Sequence, residues 1–182
     1  MTLVVGAARY EAALRFPAYL ESVVKNAELW QGMYRTAMVA PESAERLRRV
    51  SGELRFLALS EDWCGDCVSC LPVIARLAEQ SGMGLRILRR DENADLMVAH
   101  LTSGTRSIPV VMVLDRDLRE LAWWGPRPAP VQRWMRSEGL LLPEPEQSRR
   151  KRAWYARDRG RAVVGELCDA VERAARRIAG RR

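Results

Sequence analysis

Trp63-Cys64-Gly65-Asp66-Cys67 lies where an apolar run meets a segment with helical spacing. The run 54–59 predicts a buried strand, and the apolar residues of 68–78 recur at the intervals of a helix. At such a junction the first sulfur lies at the helix N-terminus, where unpaired N–H groups and the helix dipole stabilise a thiolate. The second sulfur follows one turn later and can close a disulfide with the first. This arrangement predicts redox chemistry at the cysteine pair.

The remaining patterns predict an α/β protein with a small mixed sheet flanked by helices. Helical spacing covers 10–52, and Leu140 to Gln147 has the composition of a linker before a long Arg-rich helix over 148–178. We therefore divide the chain into an N-terminal helical extension (1–52) packed on the core, a core (53–139), and a linker with a C-terminal helix (140–182). The predicted elements between are a helix over 65–80, a strand over 85–89, a helix over 94–101, strands over 109–114 and 118–124, and a helix over 131–138.

The net charge of +7 belongs to the tail of the chain. Residues 148–182 hold 12 basic and four acidic residues, a net of +8, whereas the remaining residues sum to −1. An arginine-rich tail can bind nucleic acid electrostatically. Arginine is, however, nearly the only base used anywhere in this chain, and a charge run is usually a solvated helix face. The composition therefore argues against a nucleic-acid partner.

Cysteine usage and hydropathy indicate the compartment. Four clustered cysteines are too few for a secreted disulfide framework and favour catalysis or metal binding. The apolar segment 1–8 lacks the basic region of a signal peptide, and no run approaches the roughly 20 apolar residues that cross a bilayer. We expect a cytoplasmic protein with no membrane partner.

Taken together, these features resemble the thioredoxin superfamily over residues 53–138, and look most like a bacterial thioredoxin-like group with helical extensions. The segment 63–67 is similar to the tryptophan-led active-site motif of that family. Pro72 occupies the position at which family members kink the following helix. Ile108-Pro109 matches the hydrophobic residue and cis-proline that family members hold opposite the cysteines. Gly125 matches a glycine that lines the substrate groove.

The resemblance implies a thiol–disulfide oxidoreductase of thioredoxin-like fold. Cys64 would attack a substrate disulfide as a thiolate, and Cys67 would resolve the mixed disulfide. The expected substrates are disulfide-containing proteins or low-molecular-weight thiols in mixed disulfides. No bound cofactor or metal is expected, because electrons pass through the Cys64–Cys67 disulfide itself, and an external reductase or small thiol would regenerate the dithiol.

The remaining residues of the motif would support this pair. Trp63 would cover the edge of the site, Gly65 and Asp66 would shape it, and Pro109 would lie against the sulfurs in the cis form. The Ile108 backbone would pair with an extended substrate next to Gly125.

The sequence also departs from the family. Many thioredoxins carry a buried carboxylate six residues before the first cysteine, often paired with a lysine on the next strand. Here these positions are Ala58 and Ile87. Asp66 is the first candidate to replace that proton acceptor, followed by Glu61 and Asp62. A carboxylate at 66 would also oppose the neighbouring Cys64 thiolate and raise its pKa.

Two other functions remain open. The fold could serve as a redox-inactive binding or adaptor protein, or the cysteine cluster could bind a metal. Cys70 favours a buried structural role over metal ligation, because two three-residue helical steps turn it about 120° away from Cys64. Further predictions concern residues outside the motif: a surface or capping role for His100, a packed position for Cys168, one buried and one exposed side chain for Trp123 and Trp124, and ordinary surface charge or contact with acidic substrates for Arg106.

Overall fold

The computed structural model describes residues 3–180, and its centre is a five-stranded sheet. The strands are β1 (Leu14–Arg15), β2 (Arg55–Ser60), β3 (Gly84–Arg89), β4 (Val110–Leu114) and β5 (Glu120–Trp124). They are arranged in the order β1-β3-β2-β4-β5, with β2 and β3 parallel and the other neighbours antiparallel. The central strands β2 and β4 consist almost wholly of buried residues. The predicted small mixed sheet is therefore confirmed.

Helices surround this sheet, and several of them begin with a proline in the first turn, where its missing N–H costs nothing. Among residues 3–180, no helix combines the length and apolarity needed to cross a bilayer. The α-helices are α1 (Ala7–Ala12), α2 (Phe16–Glu21), α3 (Ala27–Thr36), α4 (Pro41–Arg48), α5 (Gly65–Ser81), α6 (Ala94–Val98), α7 (Ala129–Ser137), α8 (Glu144–Asp158) and α9 (Arg161–Ala179).

The N-terminal region is more than a helical extension. β1 pairs with the edge strand β3, placing Leu14 opposite Ile87 and Arg15 opposite Arg86. The prediction of helix throughout 10–52 is wrong at this point, because a two-residue strand has no periodicity and forms only through its tertiary partner. The helices that follow β1 contribute the fully buried Tyr19 and Trp30 to the core.

The C-terminal region consists of two helices rather than one. The prediction of a linker through Gln147 and a single helix over 148–178 is wrong, because α8 begins at Glu144 and ends before a left-handed turn at Arg159 and Gly160. A Cβ atom at Gly160 would lie 2.8 Å from a Val73 methyl carbon, so this close approach to α5 requires glycine.

The second of these helices, α9, packs on the core as its apolar side predicts. It contacts α4, α5, β4 and β5, and buries Cys168 completely. Trp124 of β5 is also buried and its Nε1 donates a 2.7 Å hydrogen bond to Glu166 of α9, whereas Trp123 is 38% exposed. The predicted packed position of Cys168 and the alternation of the two tryptophans are confirmed.

Candidate active site

Cys64 is the N-cap residue of α5, directly before the first helical residue. It has extended backbone angles, and its Sγ accepts a hydrogen bond from the Cys67 N–H at 3.4 Å, so the sulfur caps the helix. A hydrogen bond from the Cys67 thiol is the main reason that the pKa of Cys64 lies below its ordinary value. Burial and the Asp66 charge oppose this effect, whereas the N–H groups of Asp66 and Cys67 add to it. Cys64 is therefore the thiol that ionises more readily.

Cys67 lies one turn inside α5 and has no exposed surface. Burial raises its pKa well above the ordinary value, and the neighbouring Cys64 raises it further. Both sulfurs are free thiols in this structure. The pair is thus asymmetric. The Cys64 sulfur lies at the helix end and is suited to attack, whereas the Cys67 sulfur is buried and remains a thiol.

The proline loop lies directly opposite the first sulfur. The Cys64 Sγ is 3.5 Å from the Ile108 carbonyl oxygen, and the Ile108–Pro109 peptide bond is cis, as expected. Gly125 meets this loop at the end of β5 with a φ of +130°, and a Cβ atom there would lie 2.1 Å from the Pro109 oxygen. Glycine at 125 therefore permits the close approach of β5 to the proline loop. A second cis bond, Gly125–Pro126, was not predicted.

Trp63 forms the exposed edge of the site. Its side chain is 43% exposed, and the Arg90 guanidinium lies over its ring, 4.8 Å from the centroid. Arg90 also donates a hydrogen bond to the backbone carbonyl of Arg106, and Arg106 itself is exposed. These contacts tie the tryptophan edge to the loop that precedes Pro109.

Asp66, which precedes Cys67 in the sequence, is buried and binds residues from the C-terminal third of the chain. Its Oδ2 accepts from Arg127 Nε at 2.8 Å and from Lys151 Nζ at 3.0 Å, and its Oδ1 accepts from the Tyr155 hydroxyl at 3.1 Å. Both carboxylate oxygens thus accept hydrogen bonds from residues outside the motif, and the role of Asp66 as proton acceptor for Cys67 stays a prediction. The prediction that its charge raises the pKa of Cys64 agrees with the structure, although other groups outweigh it.

The two other candidate carboxylates also have partners away from the thiols. Glu61 accepts from the Asp91 N–H at 3.0 Å and lies 3.8 Å from Arg89. Asp62 accepts from the N–H groups of Val24 and Lys25 at 3.1 and 3.0 Å. Burial opposes ionisation of Asp62, but these two donors outweigh it and its pKa is lowered. Asp62 therefore anchors the N-terminal region to the motif.

Sequence reasoning missed the residues that contact the motif from distant positions in the sequence. Arg127, Lys151 and Tyr155 have no local pattern that links them to Asp66. Ser60 is different, because it ends β2 only four residues before Cys64; its hydroxyl is 2.8 Å from that of Tyr19. As predicted, Ala58 lies opposite Ile87 on the next strand, and both are buried apolar residues.

The remaining candidates lie outside the site. His100 is buried rather than on the surface: its Nδ1 is 2.6 Å from the Leu96 carbonyl, as a helix cap, and its Nε2 is 2.7 Å from Glu120. Cys70 is fully buried, and burial raises its pKa well above the ordinary value. Within residues 3–180, no three His, Cys, Asp or Glu side chains converge as metal ligands.

A groove of about 540 Å³ opens beside Cys64. Its walls come from α3, from the first turn of α5 and from α8, so the segments on both sides of the core contribute to it. Apolar side chains and the cations Lys151 and Arg152 line it together; the apolar ones are Leu29, Met33, Trp63 and Val68.

Comparison with known proteins agrees with this geometry. A family model described as thioredoxin matches residues 13–143, which is most of the chain. The chain belongs to the thioredoxin family. The match begins before β1, so this thioredoxin-family protein shares part of its N-terminal region with its relatives. No curated protein matches it.

Two solved structures share the fold of this thioredoxin-family protein. The first is a protein of unknown function from Pseudomonas aeruginosa, with a TM-score of 0.72 and 20% identity, covering 92% of this chain and 98% of the other. The second is an HIV epitope-scaffold, with a TM-score of 0.66 and 21% identity, covering the same shares of both chains. At these identities the likeness concerns the fold alone.

Proposed function

We propose that this protein is a thiol–disulfide oxidoreductase that reduces disulfides through Cys64 and Cys67. The observation that carries this proposal is the position of the Cys64 sulfur, which caps α5 and faces the Ile108 carbonyl before the cis proline. A sulfur in this position is favoured as a thiolate, and only the thiolate is nucleophilic. The raised pKa of Cys67 supports a division of labour between the two thiols.

The reaction consists of two exchanges. The Cys64 thiolate attacks one sulfur of the substrate disulfide, forming a mixed disulfide and releasing the other half of the substrate as a thiolate. Cys67 then attacks the Cys64 sulfur, its proton passes to the departing substrate sulfur, and the substrate leaves as a thiol. The substrate gains two electrons, and the enzyme keeps a Cys64–Cys67 disulfide. An external reductase or small thiol returns this disulfide to the dithiol.

The groove beside Cys64 is the proposed binding region for the substrate. Its apolar walls and its volume of about 540 Å³ fit a peptide segment or a small mixed disulfide, and the Ile108 carbonyl lies 3.5 Å from the sulfur. A reducing cytoplasm is the compartment in which such a dithiol works, because glutathione and thioredoxin systems keep thiols reduced there.

Insulin reduction with dithiothreitol as electron donor tests the proposal. We expect the wild-type protein to accelerate insulin precipitation and Cys64→Ser to abolish this effect. Cys168→Ser serves as the control, because Cys168 is a buried cysteine outside the motif, on α9, where its sulfur contacts the Ser43 carbonyl. Wild-type protein without reductase activity would favour the adaptor function, and activity that survives Cys64→Ser would exclude the mechanism.

A further inference from the structure

The groove beside Cys64 has walls of two kinds. One is apolar and comes from α3 and the motif, with Leu29 and Trp63 among its side chains. Another is the face of α8 that carries Lys151 and Arg152. The nucleophilic sulfur therefore borders a cleft that offers a ligand both carbon surface and positive charge.

Arg152 brings an unpaired charge to this groove. The residue is exposed, and across residues 3–180 no carboxylate forms an ion pair with its guanidinium. A guanidinium is always charged at physiological pH, and its planar N–H groups match the two oxygens of a carboxylate. Arg152 can therefore bind an anionic ligand without first giving up an ion pair within the protein.

Lys151 is only partly neutralised by its partner Asp66. The Asp66 carboxylate accepts from Lys151 Nζ at 3.0 Å and also from Arg127 Nε at 2.8 Å, so two positive charges share one negative charge. The Lys151 side chain is 17% exposed and lines the groove. Its ammonium has three N–H donors, and the bond to Asp66 uses one of them. Lys151 can therefore donate to a ligand while it remains bound to Asp66.

Glu144 is the second carboxylate on the groove wall, besides Asp66. It lies in the first turn of α8, and its Oε1 accepts a hydrogen bond from the Ser148 hydroxyl at 2.5 Å. Its charge opposes the binding of an anion in the same groove, so the wall carries both signs of charge. Removing the negative charge and removing the positive charge of Arg152 should therefore have opposite effects on an anionic ligand.

The size of the groove favours a small compound. Its volume of about 540 Å³ falls within the range of about 300–1,000 Å³ that is usual for small-molecule sites. A ligand suited to it has a sulfur that reaches Cys64, a carbon chain that covers the apolar wall and a carboxylate that meets α8. An acidic low-molecular-weight disulfide has all three parts.

We propose that this groove selects low-molecular-weight disulfides that carry a carboxylate near the sulfur, and that Lys151 and Arg152 bind that carboxylate. This inference rests on the proposed function and names its substrate class. The Cys64 thiolate attacks one sulfur of the compound and displaces the other half as a thiolate. Cys67 then attacks the Cys64 sulfur, and the second half leaves with the Cys67 proton. The compound gains two electrons, and the protein keeps the Cys64–Cys67 disulfide.

A matched pair of disulfides isolates the contribution of the carboxylate. Dithiodipropionate carries two carboxylates, and its diamide has nearly the same size without charge. Reduced full-length protein is mixed rapidly with each compound, and the rate constant for loss of the motif thiols is measured. The readout is the ratio of the two rate constants, dicarboxylate over diamide, because a change in the Cys64 thiolate itself affects both. We expect the wild-type ratio to exceed that of dithiothreitol, which has no groove, by about tenfold.

Three variants change the charge of the groove wall. Arg152→Gln and Lys151→Gln should each lower the ratio by about threefold, the size expected for one partly screened charge pair. Glu144→Gln should raise the ratio by about twofold, because it removes a repelling charge. Added salt should bring the ratios of wild type and Arg152→Gln together.

Arg157→Gln is the matched control for Arg152→Gln. Arg157 is also an exposed arginine of α8, but it lies about 140° around the helix from Arg152 and lines a different groove, beside Trp154. The same charge is removed from the same helix on another face. We expect the ratio to change by less than about 1.5-fold.

The outcomes separate the inference from the function. A wild-type ratio in Arg152→Gln overturns the inference, and so does an equal fall in Arg157→Gln. Insulin reduction distinguishes a small compound from a protein segment: Arg152→Gln should slow it less than the dicarboxylate reaction, and an equal or larger slowing overturns the substrate class. The proposed function fails separately if neither compound oxidises the wild-type protein, or if both oxidise Cys64→Ser as fast as wild type.

Discussion

Residues 3–52 bind the residues that lead into the cysteine motif through uncharged groups, whereas residues 140–180 bind Asp66 within the motif through the charged Lys151 and through Tyr155. From the N-terminal side come the Tyr19 hydroxyl, the Trp30 N–H, and the backbone N–H groups that hold Asp62. From the C-terminal side come Lys151 and the neutral Tyr155, both bound to Asp66. The two segments lie on opposite sides of the motif in the chain and bind different carboxylates, Asp62 and Asp66.

The difference has a physical consequence. Hydrogen bonds between neutral buried groups depend little on salt, whereas an ion pair at the edge of a groove is partly screened. Lys151 is 17% exposed and Tyr19 is fully buried. We therefore expect the N-terminal contacts to govern stability and the C-terminal contacts to adjust the charge next to Cys64. Three measurements test this division.

The largest expected effect concerns packing. Trp30→Ala removes a fully buried side chain, its ring contact with Tyr19 and its hydrogen bond to Asp62. We expect the free energy of unfolding to fall by about 3–5 kcal/mol, the usual cost of deleting a buried aromatic side chain. Trp154→Ala is the matched change on α8, where the side chain is only partly buried, and should cost about 1 kcal/mol. Urea unfolding measures both, and equal losses would contradict the division.

The second effect concerns charge. Asp66→Asn leaves Arg127 and Lys151 without their carboxylate, and we expect the free energy of unfolding to fall by about 1–3 kcal/mol. The pKa of Cys64 should fall further, because the Asp66 charge that opposes its thiolate is gone. Thiolate absorbance against pH measures this change.

Asp117→Asn is the control for this charge effect. Its carboxylate pairs with Arg119 on the surface and is far more exposed, so unfolding should change by less than about 0.5 kcal/mol and the Cys64 pKa should stay in place. Added salt should narrow the difference in the Cys64 pKa between Asp66→Asn and wild type, because salt screens the Asp66 charge. An unchanged or higher Cys64 pKa in Asp66→Asn would refute the electrostatic role of this residue.

The smallest effect concerns acid. The pKa of Asp62 is lowered in the folded protein, because the Val24 and Lys25 N–H groups outweigh the effect of burial. Its contribution to stability is therefore complete above the unfolded pKa of about 3.9 and is lost as the pH falls through the lower folded value. Asp62→Asn should cost about 1 kcal/mol at neutral pH, and this gap to wild type should close in acid. Urea unfolding at a series of pH values checks the trend, and a gap independent of pH would contradict it.

Much of the sheet and its motif can be predicted from the sequence. The strand before Cys64 and β4 appear as continuous apolar runs and the helix after Cys64 as a helical period, and each element lies within a few residues of the expected bounds. The cis bond at Pro109 and the exposed Trp63 follow from motif resemblance and local composition. Periodicity failed where it is weak, at the two-residue β1 and at the break before Gly160, which depends on contact with Val73.

The partners of the motif were beyond sequence reasoning. Asp66 was predicted to accept a proton from Cys67. In the structure it accepts hydrogen bonds from Lys151 and Tyr155, which lie 85 and 89 positions further along the chain. A surface or capping role was predicted for His100; it caps α6 through the Leu96 carbonyl, but it is buried, with Glu120 bound to its other ring nitrogen. A short polar helix does not reveal such partners.

From the amino-acid sequence alone came the order of elements, the position of two sulfurs at a helix start and the absence of charge at 58 and 87. These are local properties, because helix and strand periods and caps depend on neighbouring residues. Only the tertiary structure decided which groups surround the segment that leads into the cysteine motif. Tyr19 reaches Ser60 across 41 residues, and such contacts arise from packing of whole elements rather than from any pattern within one of them.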